Sequence, residues 1–383
     1  MQQHRSIVRF AGWLPYLEKE QMKVLILSTY ERSGGAAIAA SRLLHALRKN
    51  GVDATMLCRK NISWGPQRLR KQSWTSIWER AVIFCRNGFN RKELWATDIA
   101  LCGQDITKTK EYKEADVIHL HWVNQGFLSL STIEKIVRSG KRVVWTMHDA
   151  WNTMGAYHLS IQRKDTPLEQ RMLQRKQRLY ALGGIQFVTC SKWLMSEVRQ
   201  SQLMHDLPVT SIPNPIDTEL FQPVTHTGRR RVLFVAQKVD NPMKGVQYLK
   251  EAAAMLDDVE VVALGRDIPY VSSEEEMARL YASMDAFVLP SLSENLPNTI
   301  MEAMACGTPC VGFNVGGIPE MIDHKVNGYV ARYKDAADLA EGIRYVLADH
   351  DRLGAAAREK VLHEYSEESV ARRYIEIYKG TDI

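Results

Sequence analysis

The sequence predicts an α/β protein in which two parallel-sheet domains face each other across a cleft. Short apolar runs alternate with helical patterns along the chain, which is typical of βαβ units. The alternation stops at a proline-rich stretch over 207–217 and then restarts, and 383 residues are enough for two domains of ordinary size. Open parallel sheets bind ligands at the carboxyl ends of their strands, so we expect the binding site in the cleft.

The first half opens with an apolar run over 22–29 that predicts a buried strand. The glycine pair Gly34 and Gly35 follows, and then a helical pattern that ends at Gly51, a typical C-cap. Further strands are predicted over 52–58, 116–121, 141–147 and 185–190, with helices over 130–139 and after the N-cap Ser191.

The second half repeats the alternation. Strands are predicted over 231–236, 259–264, 286–290 and 309–313, with helices from Gly245, over 274–283 and from Pro297. The helical stretch over 367–378 is long enough to cross back to the first half.

These elements predict a domain over 22–210, completed by a C-terminal helix over 366–383, and a second domain over 211–365. Residues 1–21 are interpreted as an N-terminal extension or a misplaced start, because their apolar run is too short for a signal peptide. The alternative is a short amphipathic helix packed on the surface.

The composition excludes several classes of protein. With 45% hydrophobic and 25% charged residues, the chain is neither fibrous nor largely disordered, and a net charge of +6 is too mild for a dedicated nucleic-acid binder. The six cysteines form no C-x-x-C pair, which argues against a zinc site or a disulfide scaffold and favours a reducing, cytoplasmic location. No apolar stretch reaches the length of a transmembrane helix.

Two segments are strongly basic. Residues 63–95 carry a net charge of +5 and residues 162–178 a net charge of +4. The first also contains Trp64, Trp74, Trp78 and Trp95. Basic residues mixed with tryptophan are typical of a surface that contacts anionic membranes, here the inner face. The alternatives are a helix hairpin that buries its aromatic residues in the core, or a nucleic-acid contact.

The densest candidate site lies between Pro290 and Glu320. Pro297 is predicted in the first turn of a helix, which places Glu294 in the loop before it and Glu302 on its second turn. A helix N-terminus offers free N–H groups to phosphate, and carboxylates bind sugar hydroxyls. This pattern fits a nucleotide-diphosphate sugar; the alternative is an amphipathic helix with capping acids.

The same segment resembles a known family. Glu294 and Glu302 are separated by seven residues, and EAMACGTPCV and GGIPE surround or follow the pair. The glycine pair, His148-Asp149, VTCSKWL, SIPNPIDTELF and Lys244-Gly245 occur in the family order. Together they resemble retaining glycosyltransferase family 4, over nearly the whole chain from Met22 to Tyr378. The resemblance implies the GT-B architecture of two Rossmann-like domains.

The resemblance also implies roles for individual residues. Glu294 would contact the donor sugar, Glu302 would hold the ribose hydroxyls and Lys244 would neutralise the leaving diphosphate. His148 would lie beside the reacting centre, with Glu294 and Lys244 as the other catalytic residues. The remaining residues expected to bind the donor are Gly34, Gly35, Gln237, Asn295, Leu296, Pro297, Asn298 and Thr299.

The sequence departs from the family at two places. Ala236 and Gln237 stand where the family commonly has Gly-Arg, and glutamine offers neither the charge nor the fork of arginine. The stretch after His148 lacks a cysteine-rich insertion that is common in related bacterial enzymes. Because of the first departure, the resemblance does not fix the positive charge at the diphosphate. Because of the second, it does not fix the identity of the acceptor.

The expected activity is therefore transfer of a hexosyl group, with retention, from a UDP- or GDP-linked donor to a lipid-linked glycan in bacterial surface polysaccharide biosynthesis. We expect no cofactor and no metal, because the candidate segment between Pro290 and Glu320 contains no Asp-x-Asp motif. We expect a front-face displacement, because no carboxylate suggests itself as a nucleophile. The alternatives are an inactive scaffold subunit, a sugar-nucleotide epimerase of the same architecture, and a nucleic-acid binder.

Overall fold

A computed structural model describes residues 21–59, 66–86, 96–224, 230–236, 241–264 and 273–380, and the single residues 89, 91, 94, 267 and 271. Residues 1–20 of the predicted extension over 1–21 lie outside the described residues, as do Trp64, Trp95 and Gln237. Within these ranges, no helix combines the length and the apolar character needed to cross a bilayer.

The first sheet has six parallel strands in the order β2-β1-β3-β4-β5-β6. The strands are β1 Lys23–Ser28, β2 Asp53–Cys58, β3 Val117–Leu120, β4 Arg142–Met147, β5 Ile185–Thr189 and β6 Val209–Ser211. Strand β6 lies within the stretch that the sequence predicts as a linker. It pairs with β5 along the edge of the sheet, where the neighbouring prolines do not interrupt a ladder.

The second sheet has five parallel strands in the order β11-β10-β9-β7-β8. The strands are β7 Arg231–Val235, β8 Glu260–Leu264, β9 Ala286–Leu289, β10 Cys310–Phe313 and β11 Gly328–Ala331. Strand β11 is not among the strands predicted from the sequence. The prediction of two parallel sheets is confirmed.

Helices cover both faces of each sheet. In the first half they are α1 Gly35–Lys49, α2 Pro66–Arg86, α3 Lys110–Glu114, α4 Leu130–Arg138, α5 Pro167–Tyr180 and α6 Lys192–Gln200. The later helices are α7 Val246–Ala253, α8 Glu274–Ala282, α9 Asn298–Ala305, α10 Ile318–Met321, α11 Ala336–Ala348, α12 His350–Glu364 and α13 Glu367–Lys379. Pro297 is the N-cap of α9, one position earlier than predicted.

Helix α13 crosses back to the first half. Its buried residues Val370, Tyr374 and Tyr378 join a core cluster with Val144 of β4 and residues of α1. The two chain crossings between the halves lie side by side, because the Ile216 amide donates to the Tyr365 carbonyl at 2.9 Å and the Glu367 amide donates to the Ile216 carbonyl at 3.2 Å. The last helix therefore fastens the second half to the first.

Candidate active site

A cleft of about 790 Å³ lies between the two halves. Strand ends and loops of both sheets line it, as expected for open parallel sheets. All the described residues that the sequence assigned to the site line this cleft: Gly34, Gly35, His148, Lys244, Glu294, Asn295, Leu296, Pro297, Asn298, Thr299 and Glu302.

Lys244 and Glu294 form an ion pair, with Nζ 2.5 Å from Oε1. Lys244 ends a short 3-10 turn, and the loop that carries Glu294 follows β9. Two features hold these loops together: the Leu292 amide donates to the Met243 carbonyl at 2.8 Å, and Gly245 lies against the Pro290 carbonyl. Both charged groups are partly exposed to the cleft, so a ligand can reach them.

Gly245 is required at its position. Its φ of +67° lies in the left-handed region, and a Cβ there would meet the Pro290 carbonyl oxygen at 1.8 Å. Any larger residue would push apart the two loops that bring Lys244 and Glu294 together.

Glu302 is buried at the base of the cleft, where two donors hold its carboxylate. Arg42 of α1 donates from Nη2 to Oε1 at 2.8 Å, and the Tyr281 hydroxyl donates to Oε2 at 3.0 Å. Arg42 also pairs with Glu274 at 2.7 Å. Burial acts to lower the pKa of Arg42, but the charges of Glu302 and Glu274 outweigh it and the pKa is raised. The Arg42 guanidinium therefore stays charged beside Glu302 and Glu274.

Sequence reasoning missed Arg42. It lies on the buried face of α1, among alanines and leucines such as Ala39, Leu43 and Ala46. A lone arginine on an otherwise apolar helix face was the available signal, because a buried cation requires a partner.

The segment before and into α9 bridges the two halves. The Asn295 side-chain amide donates to the His148 carbonyl at 3.0 Å, and the Ser191 hydroxyl donates to Asn295. The Asn298 side-chain amide donates to the Gly35 carbonyl at 3.1 Å. The N-terminus of α9, with its free N–H groups, therefore opens onto the cleft beside the glycine pair.

The glycine pair begins α1. Gly34 has a φ of +90°, which a glycine adopts without strain. Apart from its chain neighbours, no described residue has an atom within 4 Å of the position of its missing Cβ. A Cβ on Gly35 would lie 3.7 Å from Asn298 Nδ2, an ordinary contact. The backbone conformation thus explains why a glycine stands at position 34. The close approach of a ligand to the glycine pair stays a prediction.

His148 and Asp149 follow β4 at the other side of the cleft. His148 Nε2 lies 2.9 Å from Nδ1 of His121, and burial lowers the pKa of His148 to about 4. Asp149 accepts hydrogen bonds from the Trp122 indole at 3.1 Å and from His158 Nδ1 at 2.7 Å. Burial acts to raise the pKa of Asp149, but His158 and the hydrogen bonds outweigh it and the pKa is lowered.

The described part of α2 contradicts the hairpin alternative. Trp74 and Trp78 are 66% and 61% exposed, and Ile77 between them is 56% exposed. The opposite face, with Glu79 and Ile83, is buried. The alternative, in which the aromatic residues of this segment pack in the core, is therefore wrong for both of these tryptophans.

The second basic segment is only partly a solvated surface. Lys176 is buried and donates to the Trp151 carbonyl and, at 2.7 Å, to the Met154 carbonyl. Burial lowers its pKa well below the usual lysine value. Four other basic side chains of the segment are exposed: Arg163, Lys164, Arg171 and Arg178.

The fold and the cleft define a protein with two parallel sheets and an open cleft between them. Residues 33–220 match the model of the family described as Glycosyltransferase Family 4, and residues 229–349 match the model described as Glycosyl transferases group 1. The two matches together span most of the chain, and the chain belongs to glycosyltransferase family 4.

Individual relatives match over shorter stretches. N-acetyl-alpha-D-glucosaminyl L-malate synthase of Bacillus anthracis is 33% identical over 33% of this chain and 34% of its own length. N,N'-diacetylbacillosaminyl-diphospho-undecaprenol alpha-1,3-N-acetylgalactosaminyltransferase of Campylobacter jejuni is 34% identical over 35% of this chain and 41% of its own. The alignments thus cover well under two thirds of these relatives.

A solved structure matches over nearly the whole chain. Sucrose-phosphate synthase from Thermosynechococcus elongatus has a TM-score of 0.66 at 17% identity, covering 94% of this chain and 99% of that one. At this identity the likeness bears on the fold. The prediction of the GT-B fold, with two Rossmann-like domains, is confirmed.

Proposed function

We propose that this protein is a retaining hexosyltransferase that moves a sugar from a UDP- or GDP-linked donor to a lipid-linked glycan in bacterial surface polysaccharide biosynthesis. One observation carries the proposal. The cleft presents a lysine–carboxylate pair, Lys244 and Glu294, and a second carboxylate, Glu302, around one helix N-terminus. Cation and N–H groups suit a diphosphate, and carboxylates suit sugar and ribose hydroxyls.

The proposed reaction needs no metal and no cofactor. The bond between the anomeric carbon and the diphosphate oxygen breaks while the acceptor hydroxyl oxygen bonds to the same face of that carbon. The hydroxyl proton passes to the departing phosphate oxygen. Lys244 and the N-terminus of α9 stabilise the charge that develops on the diphosphate, which is the type of interaction that contributes most to such catalysis.

Glu294 has a second task in this proposal. Its carboxylate fixes the Lys244 ammonium in the free cleft and accepts hydrogen bonds from the donor sugar when the ammonium turns to the diphosphate. Glu302 holds the ribose, with Arg42 and Tyr281 keeping the carboxylate in place.

We assign the acceptor to the part of the cleft lined by Tyr30, Trp122 and Asp149. Aromatic faces and a carboxylate suit a sugar ring with its hydroxyls. The Campylobacter jejuni relative is named for a diphospho-undecaprenol acceptor, which supports a lipid-linked acceptor here.

A membrane-bound acceptor requires the protein to reach a membrane, and we assign that contact to the exposed face of α2. Trp74, Ile77 and Trp78 follow the i, i+3, i+4 spacing of one helix face. The exposed basic residues of the 162–178 segment lie on the same half of the protein and suit anionic lipid. The proposal therefore assigns the enzyme to the cytoplasmic face of the inner membrane.

The membrane contact is tested by sedimentation with vesicles. Wild type is expected to bind phosphatidylglycerol vesicles more than phosphatidylcholine vesicles, and a Trp74→Ser/Trp78→Ser variant is expected to lose most of that binding. Met255→Ser, which removes an exposed apolar side chain of the second half, is the matched control. Equal binding of wild type and the tryptophan variant would overturn the assignment.

The donor site is tested by thermal unfolding with UDP and GDP. A nucleotide at about 100 times its dissociation constant adds about 2.7 kcal/mol to the free energy of unfolding. One of the two is expected to raise the Tm of wild type and of Glu341→Gln, an exposed control, and to leave Glu302→Gln unshifted. No shift with either nucleotide would contradict the proposal.

A second assay separates a transferase from an epimerase. The UDP- or GDP-sugar is incubated with the enzyme, with and without a polyprenyl-diphosphate glycan extract, and the sugar is analysed by NMR. The proposal expects transfer only with the extract and an α-linked donor that gives an α-linked product. A donor that changes configuration without acceptor would favour the epimerase.

A further inference from the structure

Three buried histidines lie in a row at the cleft. His119 is on β3, His121 follows β3 and His148 follows β4, so the parallel register brings them together. The His148 and His121 rings stack with centroids 5.1 Å apart, and the His121 and His119 rings are 4.3 Å apart. Only His148 lines the cleft.

His119 is fully hydrogen-bonded at the inner end of the row. Nδ1 lies 2.6 Å from the Tyr378 hydroxyl and Nε2 lies 2.8 Å from the Thr146 hydroxyl. Thr146 in turn lies 2.9 Å from the Tyr374 hydroxyl. Both tyrosines belong to α13, so the helix that crosses back from the second half also closes this buried network.

In the hydrogen bond between His148 and His121, one of the two nitrogens must carry a proton and the other must not. Burial lowers the pKa of all three histidines, so each ring is neutral and carries a single N–H. Either His121 donates from Nδ1 to His148 Nε2, or His148 donates from Nε2 to His121 Nδ1. The two arrangements place the remaining proton on different atoms.

The surroundings of His121 favour one of these two hydrogen-bond arrangements. Its Nε2 is buried and has no hydrogen-bond partner among the described residues. If His148 donated, the His121 proton would sit on this Nε2 as a buried donor without an acceptor, which is rare in proteins. If His121 donates, its own Nε2 carries no proton, and no buried N–H group is left without an acceptor. The second arrangement leaves the His148 proton on Nδ1, the nitrogen that is not engaged with His121.

We propose that His121 is a positioning residue that holds His148 in the Nδ1–H form, so that His148 offers a hydrogen-bond donor to the ligand in the cleft. The role of that ligand as a donor sugar rests on the function proposed above, whereas the tautomer does not. His148 then donates to a sugar hydroxyl or ring oxygen and accepts from none. This selects sugars with an acceptor oxygen at that position.

The tautomer is measured directly by NMR of the protein labelled with 15N-histidine, at pH 7.5 and without ligand. Signals of His148 are assigned by their loss in His148→Gln. We expect a protonated Nδ1 and a bare Nε2 for His148 in wild type. A protonated Nε2 in wild type would overturn the proposal.

Two variants of His121 test whether this residue fixes the tautomer of His148. The substitution His121→Asn places a side-chain amide nitrogen close to the position of Nδ1, so this variant is expected to keep the Nδ1–H form of His148, whereas His121→Leu is expected to lose it. Tyr378→Phe removes only a partner of His119 and is expected to leave the His148 signals unchanged. Unchanged His148 signals in a folded His121→Leu would overturn the proposal.

Kinetics provide a readout that a purely structural role would not move. With an active donor and acceptor pair, His121→Leu is expected to lower kcat by about tenfold, with the KM of the donor changed less, and His121→Asn to restore most of it. Equal loss in both variants would overturn the positioning role. If no nucleotide binds, the proposed function is wrong. The tautomer of His148 is measured without ligand, so the NMR experiment still tests the positioning role of His121.

Discussion

Arg42 and Glu302 meet across the cleft with Nη2 2.8 Å from Oε1, although their positions in the chain are 260 apart. Arg42 belongs to α1 of the first half and Glu302 to α9 of the second. The carboxylate proposed to bind the ribose is thus also a contact between the two halves. If Glu302 binds the ribose as proposed, the Arg42–Glu302 ion pair couples that binding to the relative position of the halves.

Replacing Arg42 by glutamine is expected to lower both stability and nucleotide affinity. Glu302 is nearly buried, and removal of a buried partner leaves an uncompensated charge, which typically costs about 3 kcal/mol or more. Urea denaturation measures the stability, and the nucleotide-induced rise in Tm measures the affinity. Glu274→Gln is the control, because Glu274 is half exposed and its pair is worth about 1 kcal/mol or less. Equal losses in the two variants would contradict a special role for the Arg42–Glu302 pair.

Replacing Lys244 by methionine is expected to lower kcat by about a hundredfold or more, because the ammonium acts on charge that develops as the diphosphate leaves. Folding is expected to change little, since Lys244 is partly exposed. Initial rates of nucleoside diphosphate release measure the effect. Lys250→Met removes an exposed lysine of α7 nearby and is expected to retain full activity. A Lys244 variant as active as the Lys250 variant would exclude a catalytic role.

The buried histidines make stability depend on pH in the acidic range. Burial lowers the pKa of His119 to about 3 and that of His148 to about 4, against about 6.5 in the unfolded chain. Between these values the unfolded chain binds protons that the folded chain does not. Stability is therefore full above pH 6.5 and falls as the pH drops toward 4, by about 1 kcal/mol per pH unit for each such histidine.

Urea denaturation between pH 7.5 and 5 measures this slope. His119→Asn is expected to show a shallower fall than wild type, whatever its absolute stability, because asparagine does not titrate. His205→Asn replaces an exposed histidine and is expected to keep the wild-type slope. Identical slopes in wild type and His119→Asn would show that His119 does not contribute.

Much of the fold and part of the site could be predicted from the sequence. Buried parallel strands are short continuous apolar runs, so β1, β3 and β9 are visible without a structure. Glu294, Glu302 and Lys244 were identified because they lie in local motifs that resemble the family. The edge strands β6 and β11 were missed, since three or four residues at an edge give no periodic signal.

The contacts that hold the site residues could not be predicted. Arg42 with Glu302, His121 with His148 and Asn298 with Gly35 all join residues far apart in the chain. A single sequence gives residue types and local spacing but not which distant side chains meet. The exposure of Trp74 depends in the same way on distant contacts of α2, such as those of Thr75 with Gly126 and of Glu79 with Ile99.

Replacing Gly245 by alanine is expected to abolish activity while the protein still folds. The new Cβ would meet the Pro290 carbonyl at 1.8 Å, so the loop of Lys244 must move away from the loop of Glu294. Gly51→Ala is the matched control: its φ of +80° is also in the left-handed region, but a Cβ there has open space. That variant carries only the conformational strain, about 1 kcal/mol, and keeps its activity. Circular dichroism and thermal unfolding establish folding, and nucleoside diphosphate release measures activity. If both variants lose stability equally and both stay active, close packing of Gly245 against Pro290 is not what keeps Lys244 and Glu294 together.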